Sequence, residues 1–119
     1  YKECLKQKKL LTNLLKNLKD MKKRVYGYGA STKGNVILQF CNIDSSLIPY
    51  IGEVNKFKYN KYTPGSNIKI ISEKKLKSMK PDYLLVLPWH FKNFIIKKEQ
   101  KFIRNGGKLI FPLPDIEII

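Results

Sequence analysis

The residues best suited to chemistry in this chain of 119 residues lie in one stretch, Val25-Tyr26-Gly27-Tyr28-Gly29-Ala30-Ser31-Thr32-Lys33-Gly34-Asn35. It reads as a short buried strand, a glycine turn and the start of a helix. Glycines let backbone N–H groups approach an anion, and a helix N-terminus adds partial positive charge. The stretch departs from both familiar phosphate loops. Gly27 and Gly29 fit the start of G-x-G-x-x-G, but Thr32 stands where the third glycine belongs and Gly34 comes two residues late. Gly29 and Gly34 have the Walker A separation, yet Asn35 and Val36 occupy the Lys and Ser/Thr positions. Two readings therefore stand side by side: a ligand loop, and a tight strand-to-helix connection that needs glycine for steric reasons.

Four residues outside or beside the glycines extend the ligand reading. Lys33 could neutralise a phosphate, or be one more surface lysine. Asn35 could bond a ligand or hold the turn through its own backbone. Glu53, about 20 residues beyond the turn, stands where nucleotide-binding sheets place a carboxylate for ribose hydroxyls. Its plain alternative is a surface carboxylate at a strand end. His90, the single histidine, lies between Trp89 and Phe91, and the three could wall a pocket. No second acid or base is placed to orient it as a general base. No His, Cys and carboxylate cluster has metal-site spacing. The residues alone give one candidate anion pocket and no complete catalytic constellation.

The elements that must position these residues follow from hydrophobic periodicity. Leu11, Leu14, Leu15, Leu18 and Met21 recur at helical spacing, so residues 1–23 read as an amphipathic helix. That helix either covers a sheet face or connects to a preceding domain. A strand is expected at 24–28 and a helix at about 32–41, capped by Ser31 or Thr32, with Val36, Ile37, Phe40 and Cys41 facing inward. A second strand spans 47–54, after the turn residues Asp44-Ser45-Ser46, and 55–67 reads as a loop. A strand at 68–71 leads to a short helix at 73–79, capped by Ser72. Tyr83-Leu84-Leu85-Val86-Leu87 suits a central parallel strand buried on both faces. A helix over 90–104 closes at Asn105-Gly106-Gly107, a last strand spans 108–111, and 112–119 is a tail. Alternating strands and helices predict an α/β domain with a mostly parallel sheet of about five strands, ordered 3-2-1-4-5. In that order Gly27–Asn35 meets Pro88-Trp89-His90 at the point where the sheet reverses its winding.

Composition narrows the classes. With 43% hydrophobic residues, the sequence is that of one globular domain. No apolar run approaches the ~18 residues needed to span a bilayer. The first residues have no apolar signal core, and no Met opens the chain, so upstream residues are expected to be missing. Cys4 and Cys41 form no disulfide framework, which favours a reducing, cytoplasmic setting. The net charge of +15 invites a nucleic-acid reading. Against it, the basic residues are 22 Lys and only 2 Arg, and they are spread over 1–24, 56–80 and 92–108. Arg is the residue of bidentate recognition, and the Lys, Asn and Ile content fits an AT-rich coding bias. A solvated basic surface, without nucleic acid or membrane as partner, is the expectation.

Several short motifs occur in one order: Tyr26–Asn35, Asp44-Ser45-Ser46-Leu47-Ile48-Pro49-Tyr50, Lys61-Tyr62-Thr63-Pro64-Gly65, Pro81-Asp82-Tyr83, Leu87-Pro88-Trp89-His90-Phe91 and Gly106-Gly107-Lys108. Together they resemble the C-terminal domain of bacterial SAM-dependent sugar C-methyltransferases, from about Lys23 to the end. The resemblance implies a Rossmann-like three-layer domain at 24–119, behind a connector helix at 1–23. It implies that SAM and zinc belong to preceding regions of a longer enzyme, and that this domain binds no cofactor and has no catalytic residues of its own. It further implies a nucleotide-linked deoxysugar as substrate and a preceding methyltransferase domain as partner. On that reading Gly27, Gly29, Ala30, Ser31, Lys33, Gly34 and Asn35 line the substrate side; Glu53, Trp89 and His90 are added from their place at the same sheet edge. The alternative is an independent nucleotide- or SAM-binding Rossmann-like protein whose reading frame begins near residue 1.

Overall fold

The computed structural model describes residues 2–30, 32–113 and 115–119, with the side chains of 2–4, 32 and 33 left aside. In chain order the elements are α1 (Lys2–Asp20), β1 (Val25–Tyr28), α2 (Thr32–Phe40), β2 (Tyr50–Glu53), β3 (Lys69–Ser72), α3 (Glu73–Ser78), β4 (Tyr83–Val86), α4 (Lys92–Lys98), α5 (Gln100–Arg104), β5 (Lys108–Phe111) and β6 (Glu117–Ile118). The sheet runs β3-β2-β1-β4-β5-β6, parallel except for β6, which pairs antiparallel with β5. The expected 3-2-1-4-5 order is present, with one more strand taken from the tail.

Side chains of successive strand residues point to opposite faces, and that alternation builds two cores. Val25, Ile51, Leu85 and Ile110 face α1 and α2, meeting Leu11, Leu15, Leu18 and Leu38. Tyr26, Tyr28, Leu84, Val86, Leu109 and Phe111 face the other way, onto Leu76 of α3, Ile95 of α4 and Phe102 and Ile103 of α5. Both faces of the sheet are thus covered from within the chain, giving three layers. Of the expected stripe, Leu11, Leu15 and Leu18 are buried on this domain's own sheet and Leu14 partly so, whereas Met21 is exposed just beyond the end of α1.

Several expected boundaries shift for identifiable reasons. α2 turns Gly34 and Leu38 inward, with Cys41 buried just past its end, while Val36 and Phe40 are exposed and Ile37 is half-buried. The run Val36-Ile37-Leu38 is apolar on every side, so periodicity alone does not fix its phase. Strand β2 begins at Tyr50 because Asp44 to Leu47 forms a turn: the Asp44 carboxylate accepts from the Ser46 N–H at 2.9 Å, and Ile48 N–H donates to Asp44 O at 3.0 Å. The hydrogen bonds from Ser46 also hold the Asp44 carboxyl below its ordinary value. Ser72 caps α3 as expected, its hydroxyl accepting from Lys75 N–H at 3.1 Å. Asp82 ties the starts of two strands together: its carboxylate accepts from Arg24 N–H at 2.7 Å, and Arg24 O accepts from Asp82 and Tyr83 N–H. The helix expected over 90–104 is a 3-10 turn at Trp89–Phe91 followed by two helices that break at Glu99.

Candidate functional site

The sheet reverses its winding between β1 and β4, where α2 leaves on one face and α4 on the other. Crevices at such points are the usual ligand sites of open α/β sheets. The turn beyond β1 is shaped by two glycines with different duties. Gly27 lies inside the strand, paired with Ile51, and a Cβ there would sit 2.6 Å from Ile51 Cγ1. Its small size serves strand packing, and it lines neither of the two clefts described below. Gly29 adopts φ +78°, and a Cβ there would come within 2.9 Å of Pro88 Cδ. Its N–H donates to Gly52 O at 2.8 Å. That donor is therefore spent on the sheet. Gly27→Ala should cost about 1–3 kcal/mol by overpacking Ile51. Urea denaturation measures it, and an unchanged midpoint would refute the packing role.

The first cleft, about 230 Å³, opens beside this turn. Gly29 and Ala30 form one wall, Glu53 closes the end of β2, and Phe91, Phe94 and Lys98 stand opposite. Glu53 is buried, and its Oε2 accepts from Val54 N–H at 2.9 Å and Asn55 N–H at 3.2 Å. Half of the carboxylate thus holds its own loop, and this fixes the group at the cleft. Phe91 and Phe94 are both largely exposed, at 57% and 68%. The cleft thus sets exposed apolar rings beside a fixed hydrogen-bond acceptor.

Beneath that cleft runs a network of charges that sequence reasoning missed. Glu99, 2% exposed, accepts from the Tyr28 hydroxyl at 2.9 Å through Oε2 and meets Lys77 Nζ at 2.5 Å through Oε1. Lys77 also reaches Glu73 at 3.2 Å, and Lys98 reaches Glu73 at 3.5 Å while lying 5.6 Å from the Tyr28 ring centre. Burial, then the hydrogen bond and charge of Glu99, push the Tyr28 hydroxyl far above its ordinary value and keep it protonated. For Lys77, burial opposes the charge, but bonds to Glu99 and Glu73 outweigh it, and its ammonium is held above its ordinary value. The break between α4 and α5 is what lets Glu99 turn inward. The available signal was a lone acid within the lysine-rich stretch 92–101, facing a buried tyrosine.

The remaining expected residues are dispersed. Asn35 lines a second cleft, of about 290 Å³, on the other side of Ala30. Gly34 is buried in the first turns of α2. Trp89 and His90 lie in the 3-10 turn, ring centres 5.8 Å apart, and line neither cleft. Of the expected wall, only Phe91 faces the first cleft, because the turn rotates its neighbours away. Ser31 falls outside the described residues, as does the Lys33 side chain, so the expected capping by Ser31 or Thr32 does too. Cys41 is buried, and burial pushes its thiol up. Among the described residues, no group of three or more His, Cys, Asp or Glu side chains could hold a metal ion, and no helix is long and apolar enough to cross a membrane.

A three-layer arrangement around a sheet of this order, with a cleft at the reversal point, is a Rossmann-like α/β domain. Residues 1–114 match the family described as C-methyltransferase C-terminal domain, and the chain belongs to that family. It is similar to the C-methyltransferase NovU of Streptomyces niveus, with 38% identity over 97 residues. That alignment covers 82% of this chain and 23% of the relative, so the chain spans about a quarter of the length of that protein.

Proposed function

We propose that this chain is the substrate-binding part of a SAM-dependent C-methyltransferase acting on a nucleotide-linked deoxysugar, and that it is not catalytic alone. The observation that carries this reading is the first cleft, where the Gly29–Ala30 turn, the fixed Glu53 carboxylate and the exposed rings of Phe91 and Phe94 converge. In use, the base lies against the phenylalanines and Glu53 accepts a hydrogen bond from a sugar hydroxyl. When bound elsewhere in the whole cytoplasmic enzyme, SAM supplies the methyl group; a zinc ion belongs to the same preceding regions. The present chain holds and orients the acceptor.

The same geometry supports one competing reading. A carboxylate ending the second strand is also where cofactor-binding sheets take a ribose, so an independent SAM- or dinucleotide-binding role is the alternative. Titration of the isotope-labelled chain with dTDP, SAM and NADH separates them. The expected result is amide shifts at Gly29, Ala30, Val54 and Phe91 with dTDP alone. SAM or NADH shifts at those residues would overturn the substrate-binding assignment.

A further inference from the structure

We infer that the second cleft is a diphosphate subsite with Lys58 as its principal cation, an assignment that rests on the nucleotide-sugar reading and fixes the direction of that ligand. The connection 54–68 between β2 and β3 is long for neighbouring strands and contains only a 3-10 turn at Lys56–Lys58. Connections of that length in compact domains tend to be functional or disordered. This one is tied down. Asn60 N–H donates to Ile70 O and Ile70 N–H to Lys61 O, both at 2.8 Å. Ile68 N–H donates to the Thr63 hydroxyl at 3.0 Å, and Gln39 Nε2 to Pro64 O at 2.8 Å.

So anchored, the connection brings Lys58 and Lys61 to one cleft between itself and α2. The Lys58 ammonium is held 3.0 Å from Ala30 O. Among the described residues no carboxylate lines this cleft, and neither lysine has a carboxylate partner, whereas Lys77, Lys92 and Lys98 each sit on one. Two converging cations without an acid leave a positive field that an anion neutralises. Asn35, on the opposite wall, has its Oδ1 buried and without a hydrogen-bond partner. Rotating that amide by a half turn, an exchange of N and O that leaves its shape unchanged, presents an N–H donor instead. Buried polar atoms without partners are rare in folded proteins, and a phosphate oxygen supplies the acceptor. Ala30 lines both clefts. A nucleoside seated against Phe91 and Phe94 therefore passes its diphosphate over Ala30 towards Lys58.

The test is titration of the labelled chain at moderate salt with inorganic pyrophosphate, thymidine and dTDP in turn. Pyrophosphate should shift the amides of Ala30, Asn35, Lys58 and Lys61. Lys58→Gln should weaken it about tenfold, as loss of a charge-assisted hydrogen bond does, and Lys58→Arg should restore most of the affinity. Lys97→Gln, the same charge change on the exposed face of α4, should leave it unaltered. Equal weakening by Lys58→Gln and Lys97→Gln would reduce the effect to general basicity and overturn the subsite. Shifts by dTDP at the first cleft, with no pyrophosphate response at Lys58, would overturn the subsite while sparing the nucleotide reading. Pyrophosphate binding at Lys58, with thymidine silent and dTDP no tighter, would uphold the anion subsite and remove the nucleotide reading.

Discussion

Glu99→Ala should lower the stability of the domain by about 3 kcal/mol, the lower end of what breaking a buried ion pair costs. The lower end applies because Lys77 remains partly accessible to solvent, at 37%, and can fall back on Glu73. The Tyr28 hydroxyl cannot; it loses its acceptor at 2.9 Å while still buried. The melting temperature should fall by roughly 10 °C, and circular dichroism on heating reads this directly. The same network sets a pH dependence. Tyr28 and Lys77 both have folded-state values above their unfolded ones. Their contribution is therefore complete below about pH 10, where unfolded tyrosine begins to ionise, and is lost as the pH rises further. Tyr28→Phe should flatten that alkaline decline. An alkaline stability curve identical in Tyr28→Phe and the parent chain would remove this account of the network.

Leu15→Ala should cost about 3 kcal/mol, the loss typical of a fully buried leucine. Leu15 is 1% exposed and packs with Leu11 and Leu18 against Val25 and its neighbours. The helix is held at two further points, where Thr12 donates to Cys41 O at 3.4 Å and Gln7 donates to Asp115 at 3.2 Å. A helix serving only as a connector would lose almost nothing, because its leucines would then face another domain. Leu10→Ala is the internal control: Leu10 is 47% exposed and should change stability by less than about 1 kcal/mol. Equal, small effects at both positions would mean that α1 does not belong to this core.

The sheet was legible because its signals are redundant. Tyr83–Leu87 is apolar throughout, Ser72 and the glycine turn mark element ends, and strand follows helix in a rhythm that only a parallel sheet satisfies. The phase of α2 was not legible, since an all-round apolar run fits several rotations. The tail gave no strand signal either. Glu117 and Ile118 become β6 only because β5 offers an unpaired edge. That Gly29, Ala30 and Glu53 border one cleft follows from spacing, because the strand order fixes where strand ends meet. Glu99 and Lys58 could not. Each depends on a local geometry, a helix break in one case and a folded-back connection in the other, that no pairwise spacing encodes. Trp89 and His90 follow β4 as expected, but they sit in a 3-10 turn that the sequence did not announce and line neither of the two clefts.

The folded-back connection also has a bearing on how this domain coexists with its neighbours in a crowded cell. A sheet's outermost strand exposes backbone groups that invite another chain to add on. At the β3 edge, both the N–H and the C=O of Ile70 are already occupied by Lys61 and Asn60, and Tyr62 bridges to Lys69. The segment that carries Lys58 and Lys61 is therefore also the selvedge of the sheet. Trimming it to abolish binding would fray that border and invite self-association, so the two duties are not separable by deletion.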